Sequence, residues 1–415
     1  MKIKSISFEN YKAFAEKQTL ELKPITLLIG KNSSGKSSIA KLFTLLENSL
    51  SGNIQEPLLM NNNGVELGAE FRDLVCGRYP NEPVNFSIEY EGYFIDKTIL
   101  SAKIVRDKSF KLNILEWSFD DFSIKHLKDK EYIDSQGNTY ECDFKGIVLH
   151  HALSEKEADV TEDIYNGKYH DAYNQTIDVH LKIDIDYIGP FRILPERQFH
   201  LTGQLNHPDT GIKGENAYSM LGVSKLMETD LHEKVGEWYK AHFDGWELKV
   251  NANNKPYIEI LLSKNNTDVN IVDVGQGMNQ VLPLIVRAFE KNRSNSIIVL
   301  EQPELHLHPA AHGDIAELFA KSAKENNQTF LIETHSENII LRLRSLIVEN
   351  TFGFTKDDII IYWVDDAEGG GQEINEITID EEGVLSDWPD GVFNENIKEI
   401  LAMENALNKK HKPTI

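Results

Sequence analysis

The stretch Gly30-Lys31-Asn32-Ser33-Ser34-Gly35-Lys36-Ser37 constrains this chain more than any other. It fits the pattern GxxxxGK[ST], and its neighbours supply the context that the pattern needs. Residues 25–29 form a short run, apolar except for Thr26, that reads as a buried central strand. After the loop, Ile39, Leu42, Phe43, Leu45 and Leu46 recur at helical spacing. Strand, tight loop and helix together predict an anion cradle. Gly30 and Gly35 permit a backbone whose amides converge, and the helix start adds its dipole. In such a loop Lys36 reaches the β- and γ-phosphates, and the Ser37 hydroxyl ligates Mg²⁺. With Lys31, Asn32, Ser33, Ser34 and Ser38 these residues form the candidate nucleotide site, and ATP and Mg²⁺ are the expected cofactors.

A second motif sits far downstream. Ile297, Ile298, Val299 and Leu300 are followed by Glu301-Gln302-Pro303-Glu304. A buried strand that delivers Glu301 to its C-terminal end places a carboxylate near the Mg²⁺ of a neighbouring phosphate loop. Ser37 and Glu301 are therefore the expected metal ligands. The strand expected over 329–333 ends in Thr334-His335-Ser336, which sets His335 to hydrogen-bond a γ-phosphate or an attacking water. Expected catalytic residues from these motifs are Glu301 and His335. His306 and His308 suggest a metal pair, but no third or fourth ligand accompanies them. His150-His151 likewise has no supporting residues.

The rest of the chain is organised around these motifs. At 415 residues the length suits two to three domains. In residues 2–8, Ile6 and Phe8 share a face and indicate a strand, with Ile3 out of phase. Residues 50–185 alternate apolar and polar and are punctuated by turns, as in antiparallel β structure, with one helix expected near 153–163. Helices are expected over 215–243, and a strand pair over 246–250 and 257–263. Strands near 296–300, 329–333 and 359–364, with helices between, give an α/β pattern to the end, where a helix and a basic tail (Lys409, Lys410, Lys412) are expected. The expected division is 1–50, a first part of the head with the phosphate loop; 51–185, a β-rich lobe; 186–290, a helical subdomain; and 291–415, the rest of the head. Two cysteines, Cys76 and Cys142, exclude a disulfide scaffold. No signal peptide or apolar run of membrane length is visible, so a cytoplasmic protein without a membrane partner is expected.

Beyond the phosphate loop, five further segments carry a family resemblance. They are Phe8-Glu9-Asn10-Tyr11-Lys12-Ala13-Phe14, Tyr187-Ile188-Gly189-Pro190-Phe191-Arg192, Asp273-Val274-Gly275-Gln276-Gly277-Met278-Asn279-Gln280, residues 301–309, and Thr334-His335-Ser336. A sixth, Asp387-Trp388-Pro389-Asp390-Gly391-Val392-Phe393, is similar to a tail common in one subgroup. In this order they resemble ABC-type ATPases of the SMC-like and OLD-like group, in particular short bacterial ATPases without a nuclease that often sit in anti-phage defence systems. The resemblance implies an α/β fold: an ABC-type head whose mixed sheet carries the phosphate loop, an inserted β-rich lobe, and a helical subdomain with the signature. It implies that Lys12 lies near the nucleotide. It also implies that Gly275, Gly277 and Asn279, at the start of a helix beginning near Met278, contact the γ-phosphate held by a second copy. ATP would then join two chains head to tail, as a dimer or higher oligomer.

Two departures qualify the expected chemistry. Asn279 replaces the family serine but still donates hydrogen bonds. Gln302 occupies the position where many such ATPases carry a catalytic Glu, and an amide cannot take a proton as general base. Tight binding with slow hydrolysis follows, with Glu304 as the stand-in. The leading expectation is an ATP-dependent scaffold that controls a separate effector, such as a nuclease. A DNA-clamping ATPase of repair or recombination is the alternative. The net charge of −23 weighs against DNA, while Lys103, Arg106, Lys108 and Lys111 offer a local basic strip. Asp365-Asp366 is too small a cluster for a two-metal nuclease.

Overall fold

A computed structural model describes residues 2–91, 97–154, 181–201, 209–291, 296–388 and 400–404. Two sheets organise these residues. The chain begins with β1 (Ile3–Glu9), β2 (Gln18–Glu21), β3 (Ile25–Gly30) and helix α1 (Lys36–Leu50). A short pair, β4 (Asn61–Asn62) and β5 (Val65–Glu66), precedes a meander. Its strands are β6 (Val84–Glu91), β7 (Lys97–Arg106), β8 (Leu112–Phe119), β9 (Phe122–Lys128), β10 (Glu131–Asp134), β11 (Thr139–Lys145) and β12 (Val148–Ser154). Seven meander strands and the chain's first two form one nine-stranded sheet, ordered β12-β11-β10-β9-β8-β7-β6-β1-β2. The sheet thus draws on both 1–50 and 51–185. Its pairing explains the misplaced Ile3, because the register of β1 against β6 shifts between Ile3 and Ser5. That irregularity lets Ile3, Ile6 and Phe8 all be buried.

The second sheet carries the phosphate loop. Its further strands are β13 (Ile185–Ile188), β18 (Ile297–Glu301), β19 (Thr329–Glu333), β20 (Ile359–Asp366) and β21 (Gln372–Ile377), in the order β13-β18-β19-β3-β20-β21. All pair in parallel except the β20–β21 hairpin. Every residue of β3, β18 and β19 is buried, so these runs are apolar without alternation, as buried parallel strands require. One face of this sheet, with Leu28, Val299 and Leu331, shares a core with α1 and the inner face of the nine-stranded sheet. The other face, with Leu27, Leu300 and Ile332, packs on a helical layer. Helix α1 is therefore held between two sheets, and the loop before it opens at the carboxyl ends of the parallel strands.

The helical layer holds α2 (Ala217–Leu226), α3 (Leu231–His242), α4 (Gln276–Gln280), α5 (Leu282–Phe289), α6 (Pro309–Asn326) and α7 (Glu337–Glu349). A small antiparallel unit of β14 (Phe199–His200), β15 (Glu247–Asn251), β16 (Tyr257–Lys264) and β17 (Thr267–Asn270) leads into α4. A buried ion pair, Arg287 Nε to Asp186 Oδ2 at 2.6 Å, ties α5 to β13. The α/β architecture expected from the sequence, with a phosphate-loop sheet, a β-rich lobe and a helical layer, is what forms. From 155 on, the helix expected near 153–163 lies outside the described residues, and its first two residues close β12. So do residues 389–393 of the tail motif and the basic tail at 409–412, whereas 400–404 are helical. None of the described helices is long and apolar enough to cross a membrane.

Candidate functional site

The loop is built as its glycines predict. Gly30 has φ +149°, and a Cβ there would lie 2.5 Å from the carbonyl oxygen of Val364 on β20. Gly35, with φ +100°, caps α1 without a side chain, and a Cβ there would stand 3.1 Å from the Phe14 ring. Both positions exclude larger residues, and Ser33 takes a left-handed φ of 65° between them. The first amides of α1 have no intrahelical acceptor, which makes the cradle a site for an anion. Lys36 is buried and folds back over the loop, donating to the carbonyls of Gly30 at 2.9 Å and Lys31 at 2.6 Å. Burial holds its ammonium below the ordinary value, and the nearby Glu333 carboxylate offsets this in part. Lys31 reaches out to Asp365 at 3.2 Å, while Asn32 and Ser33 are exposed and Ser34 is buried.

The opening motif sits behind this loop. Tyr11 donates from its hydroxyl to the carbonyl of Ser38 at 3.1 Å, and Phe14 backs Gly35. Lys12, expected beside the nucleotide, instead donates to the carbonyl of Leu67. Its backbone is left-handed, φ 57°, and its ammonium is lowered by burial. The aromatic residues of the motif touch the loop, whereas its lysine turns to the segment before the meander.

The acids gather at the ends of two adjacent strands. Ser37 donates to Oε2 of Glu333 at 2.8 Å, not to Glu301. Strand β19 lies between β18 and β3, so Glu333, at the end of β19, is the carboxylate next to the loop. Glu301 stands one strand further out, in register with Glu333. Its Oε1 accepts from the Tyr187 hydroxyl at 2.5 Å. Glu304 accepts through Oε1 from the backbone N–H of His335 at 2.7 Å. Burial pushes all three carboxyls up, Glu301 to about 7. The Tyr187 hydrogen bond opposes the rise at Glu301, and the Glu333 charge adds to it. Burial and the Lys36 charge hold the His335 imidazole below its ordinary value. Gln302 takes a left-handed φ of 46° and donates its N–H to the carbonyl of Glu333 at 2.8 Å. Glu301, Gln302, Glu304, Glu333 and His335 thus form two interlocked turns at the mouth of the cleft.

The glycine-led helix lies beside those turns. It starts at Gln276, two residues earlier than expected, with Gly275 exposed at its cap. Gly277 sits so close to the next turn that a Cβ would meet the His306 carbonyl at 2.9 Å. Asn279, expected to reach a phosphate, is buried, and its Oδ1 has no partner. His308 caps α6 by accepting from the N–H of Ala310 at 3.3 Å. The basic strip does not gather. Arg106 pairs with Glu70 at 2.7 Å, and Lys103 stands opposite Asn85 and Glu116 on a mixed-charge face.

Three residues absent from the expected site belong to it geometrically: Glu333, Tyr187 and Arg192. Arg192 Nη2 donates to the carbonyls of Glu301 at 3.3 Å and Gln302 at 3.1 Å. Glu333 carried a readable signal, since it ends a strand just as Glu301 does. The residues present suit a magnesium nucleotide. Mg²⁺ takes oxygen ligands and keeps several waters, so one hydroxyl and neighbouring carboxylates beside a phosphate cradle are an adequate donor set.

A family model described as an AAA ATPase domain matches residues 1–187 and 215–340. A second model, described only as a protein of unknown function, matches residues 355–403. No curated protein matches the chain. Among solved structures, an SMC head bound to the C-winged helix domain of ScpA has a TM-score of 0.49 at 12% identity, covering 91% of this chain and 98% of that one. The SMC head domain from Thermotoga maritima has a TM-score of 0.45 at 11% identity, covering 91% and 100%. An Smc head with an extended coiled coil, bound to the C-terminal domain of ScpA derived from Pyrococcus furiosus, has a TM-score of 0.47 at 11% identity, covering 97% and 99%.

Proposed function

The chain belongs to the AAA ATPase domain family, and from that premise we propose that it binds ATP with Mg²⁺ at residues 30–38, hydrolyses it slowly, and is joined to a second copy by the bound nucleotide. The observation that carries this reading is the contact of Ser37 with Glu333 beneath a Lys36 folded over the loop. Lys36 and the amides at the start of α1 would hold the phosphates. Ser37, with Glu333 and Glu301, would hold the Mg²⁺, which supplies charge neutralisation to phosphoryl transfer when bound. His335 and Glu304 line the same mouth.

Slow turnover is supported by the residues around Gln302. An amide there accepts no proton. The Glu304 carboxylate that would replace it belongs to a half-buried residue and already accepts the His335 N–H. Pairing of two copies is supported by the exposed cap at Gly275, two residues before the glycine that packs on the His306 carbonyl. The family resemblance adds the role: an ATP-dependent scaffold for a separate effector, such as a nuclease, in bacterial anti-phage defence.

The test is purification with and without a non-hydrolysable ATP analogue, followed by mass measurement and identification of co-purifying chains. A nucleotide-dependent doubling of mass that Lys36→Ala abolishes is the expected result. A mass indifferent to nucleotide would end the pairing. Steeply salt-dependent binding of duplex DNA would point to the clamp instead.

A further inference from the structure

Arg192 is an expensive residue where it stands. It is 6% exposed, and its Nε and Nη1 are buried without an acceptor. A buried guanidinium with unpaired donors costs more than an apolar side chain of the same size. Only Nη2 is engaged, and its acceptors are informative. They are the carbonyls of Glu301 and Gln302, which flank the left-handed residue of the acidic turn. Left-handed backbone at a residue other than glycine persists only where its surroundings hold it. Arg192 and the Gln302 N–H bond to Glu333 supply that hold from two sides.

Two further contacts give the arginine a reach beyond packing. Glu304 keeps a buried Oε2 without a donor, and each of Arg192 and Glu304 feels the other's charge. The residue after Arg192 is anchored to the glycine-led helix, since Gln280 Nε2 donates to the Ile193 carbonyl at 3.1 Å. Five residues before it, Tyr187 holds the Glu301 carboxylate. One short segment thus grips the acid, the turn after the acid, and the helix at the exposed cap.

We propose that Arg192 is a positioning residue for hydrolysis: it fixes the turn at Gln302 and the seat of the Glu304 carboxylate without touching nucleotide. The inference rests on the ATPase reading above. It predicts a split between binding and turnover, because the phosphate cradle lies on other elements.

The test uses the full chain with Arg192→Met, which keeps the length and removes the charge, and Arg192→Lys, which restores a donor to both carbonyls. Three quantities are read: affinity for Mg-ATP, the single-turnover rate, and hydrogen exchange at the amides of Gln302 and His335. Arg192→Met is expected to bind Mg-ATP within about threefold of wild type while its rate falls by at least about tenfold. Both amides should exchange at least about tenfold faster, and Arg192→Lys should recover part of each loss. A wild-type rate with unchanged exchange in Arg192→Met overturns the proposal. So does a loss of affinity in step with rate in both variants, which would mark a residue that merely supports the fold. If the wild-type chain bound no ATP, the ATPase reading would fall. Exchange at Gln302 and His335 would still decide whether Arg192 holds the turn.

Discussion

Two glycines, two residues apart, should answer very differently to a methyl group. At Gly275 an added Cβ meets nothing within 4 Å, and the backbone angles, φ −61° and ψ 148°, suit any residue. Replacement by alanine there should change stability by less than about 1 kcal/mol, because the lost freedom of the unfolded chain and alanine's poorer fit at a helix N-cap oppose each other. At Gly277 the Cβ would come 2.9 Å from the carbonyl of His306, itself held in a left-handed turn with φ 68°. A backbone carbonyl cannot swing aside as a side chain does, and such overpacking costs about 1–3 kcal/mol. Alanine's better helix propensity returns about 1 kcal/mol, leaving a net loss of up to about 2 kcal/mol. The assay is chemical denaturation of both variants beside mass measurement with the ATP analogue. Gly275→Ala should fold as wild type yet weaken the nucleotide-dependent pair, because its methyl group projects at the exposed cap. Gly277→Ala should lose stability as well. A Gly275→Ala chain that pairs normally, together with a Gly277→Ala chain of unchanged stability, would refute both the steric argument and the location of the interface.

Other outcomes follow from the carboxylates. Glu333→Gln keeps the shape beside Ser37 but removes the charge. Affinity for Mg-ATP should fall by roughly tenfold, about 1.4 kcal/mol. Adding Ser37→Ala should cost much less than the sum of the single changes, and strict additivity would show that the pair does not act together. Burial raises Glu301 from 4.5 in the unfolded chain to about 7 in the fold. Between those values the folded protein binds protons that the unfolded chain has released. Its metal-free stability should therefore fall as pH rises through that window, by about 3 kcal/mol from Glu301 alone, with the raised Glu304 and Glu333 acting in the same direction. Denaturation midpoints in chelator across the window measure this. Glu301→Gln should make the profile shallower, and a wild-type profile no steeper than that of the variant would contradict the reasoning.

What the sequence could disclose was local. Strand β3 is apolar because both of its faces are covered, and the loop after it announces itself through two glycines and a lysine in fixed order. Glu301 was visible as a lone acid closing an apolar run. Its partner Glu333 closes a similar run, but its meaning depends on β19 lying between β18 and β3. Strand order is a long-range property that no window of neighbouring residues encodes. The same limit applies to β1, where Ile6 and Phe8 showed a strand without showing which sheet would take it. It applies to Lys103 and Arg106 too, near in sequence but separated by their partners, Glu116 across the ladder and Glu70 on another segment. Lys12 stands in a motif whose aromatic residues reach the phosphate loop, but its left-handed backbone turns the side chain to Leu67.

The charge around Gln302 gives its neutrality a physical reason beyond catalysis. Glu301 and Glu333 are buried and Glu304 half-buried around two interlocked turns, and all three carboxyls are raised. Lys36 and Arg192 are the buried cations at these turns, and Arg192 gives only one of its three nitrogens to hydrogen bonds. A fourth carboxylate at 302 would enter the same low-dielectric space, where like charges repel far more strongly than in water. It would also sit on a backbone already held in a left-handed turn. A side-chain amide of nearly the same shape avoids that repulsion. A triphosphate brings further negative charge to a mouth lined with acids, so its stable occupation requires a divalent cation to arrive with it. Under the proposed function, a neutral side chain at 302 would favour holding Mg-ATP over hydrolysing it, since an amide accepts no proton.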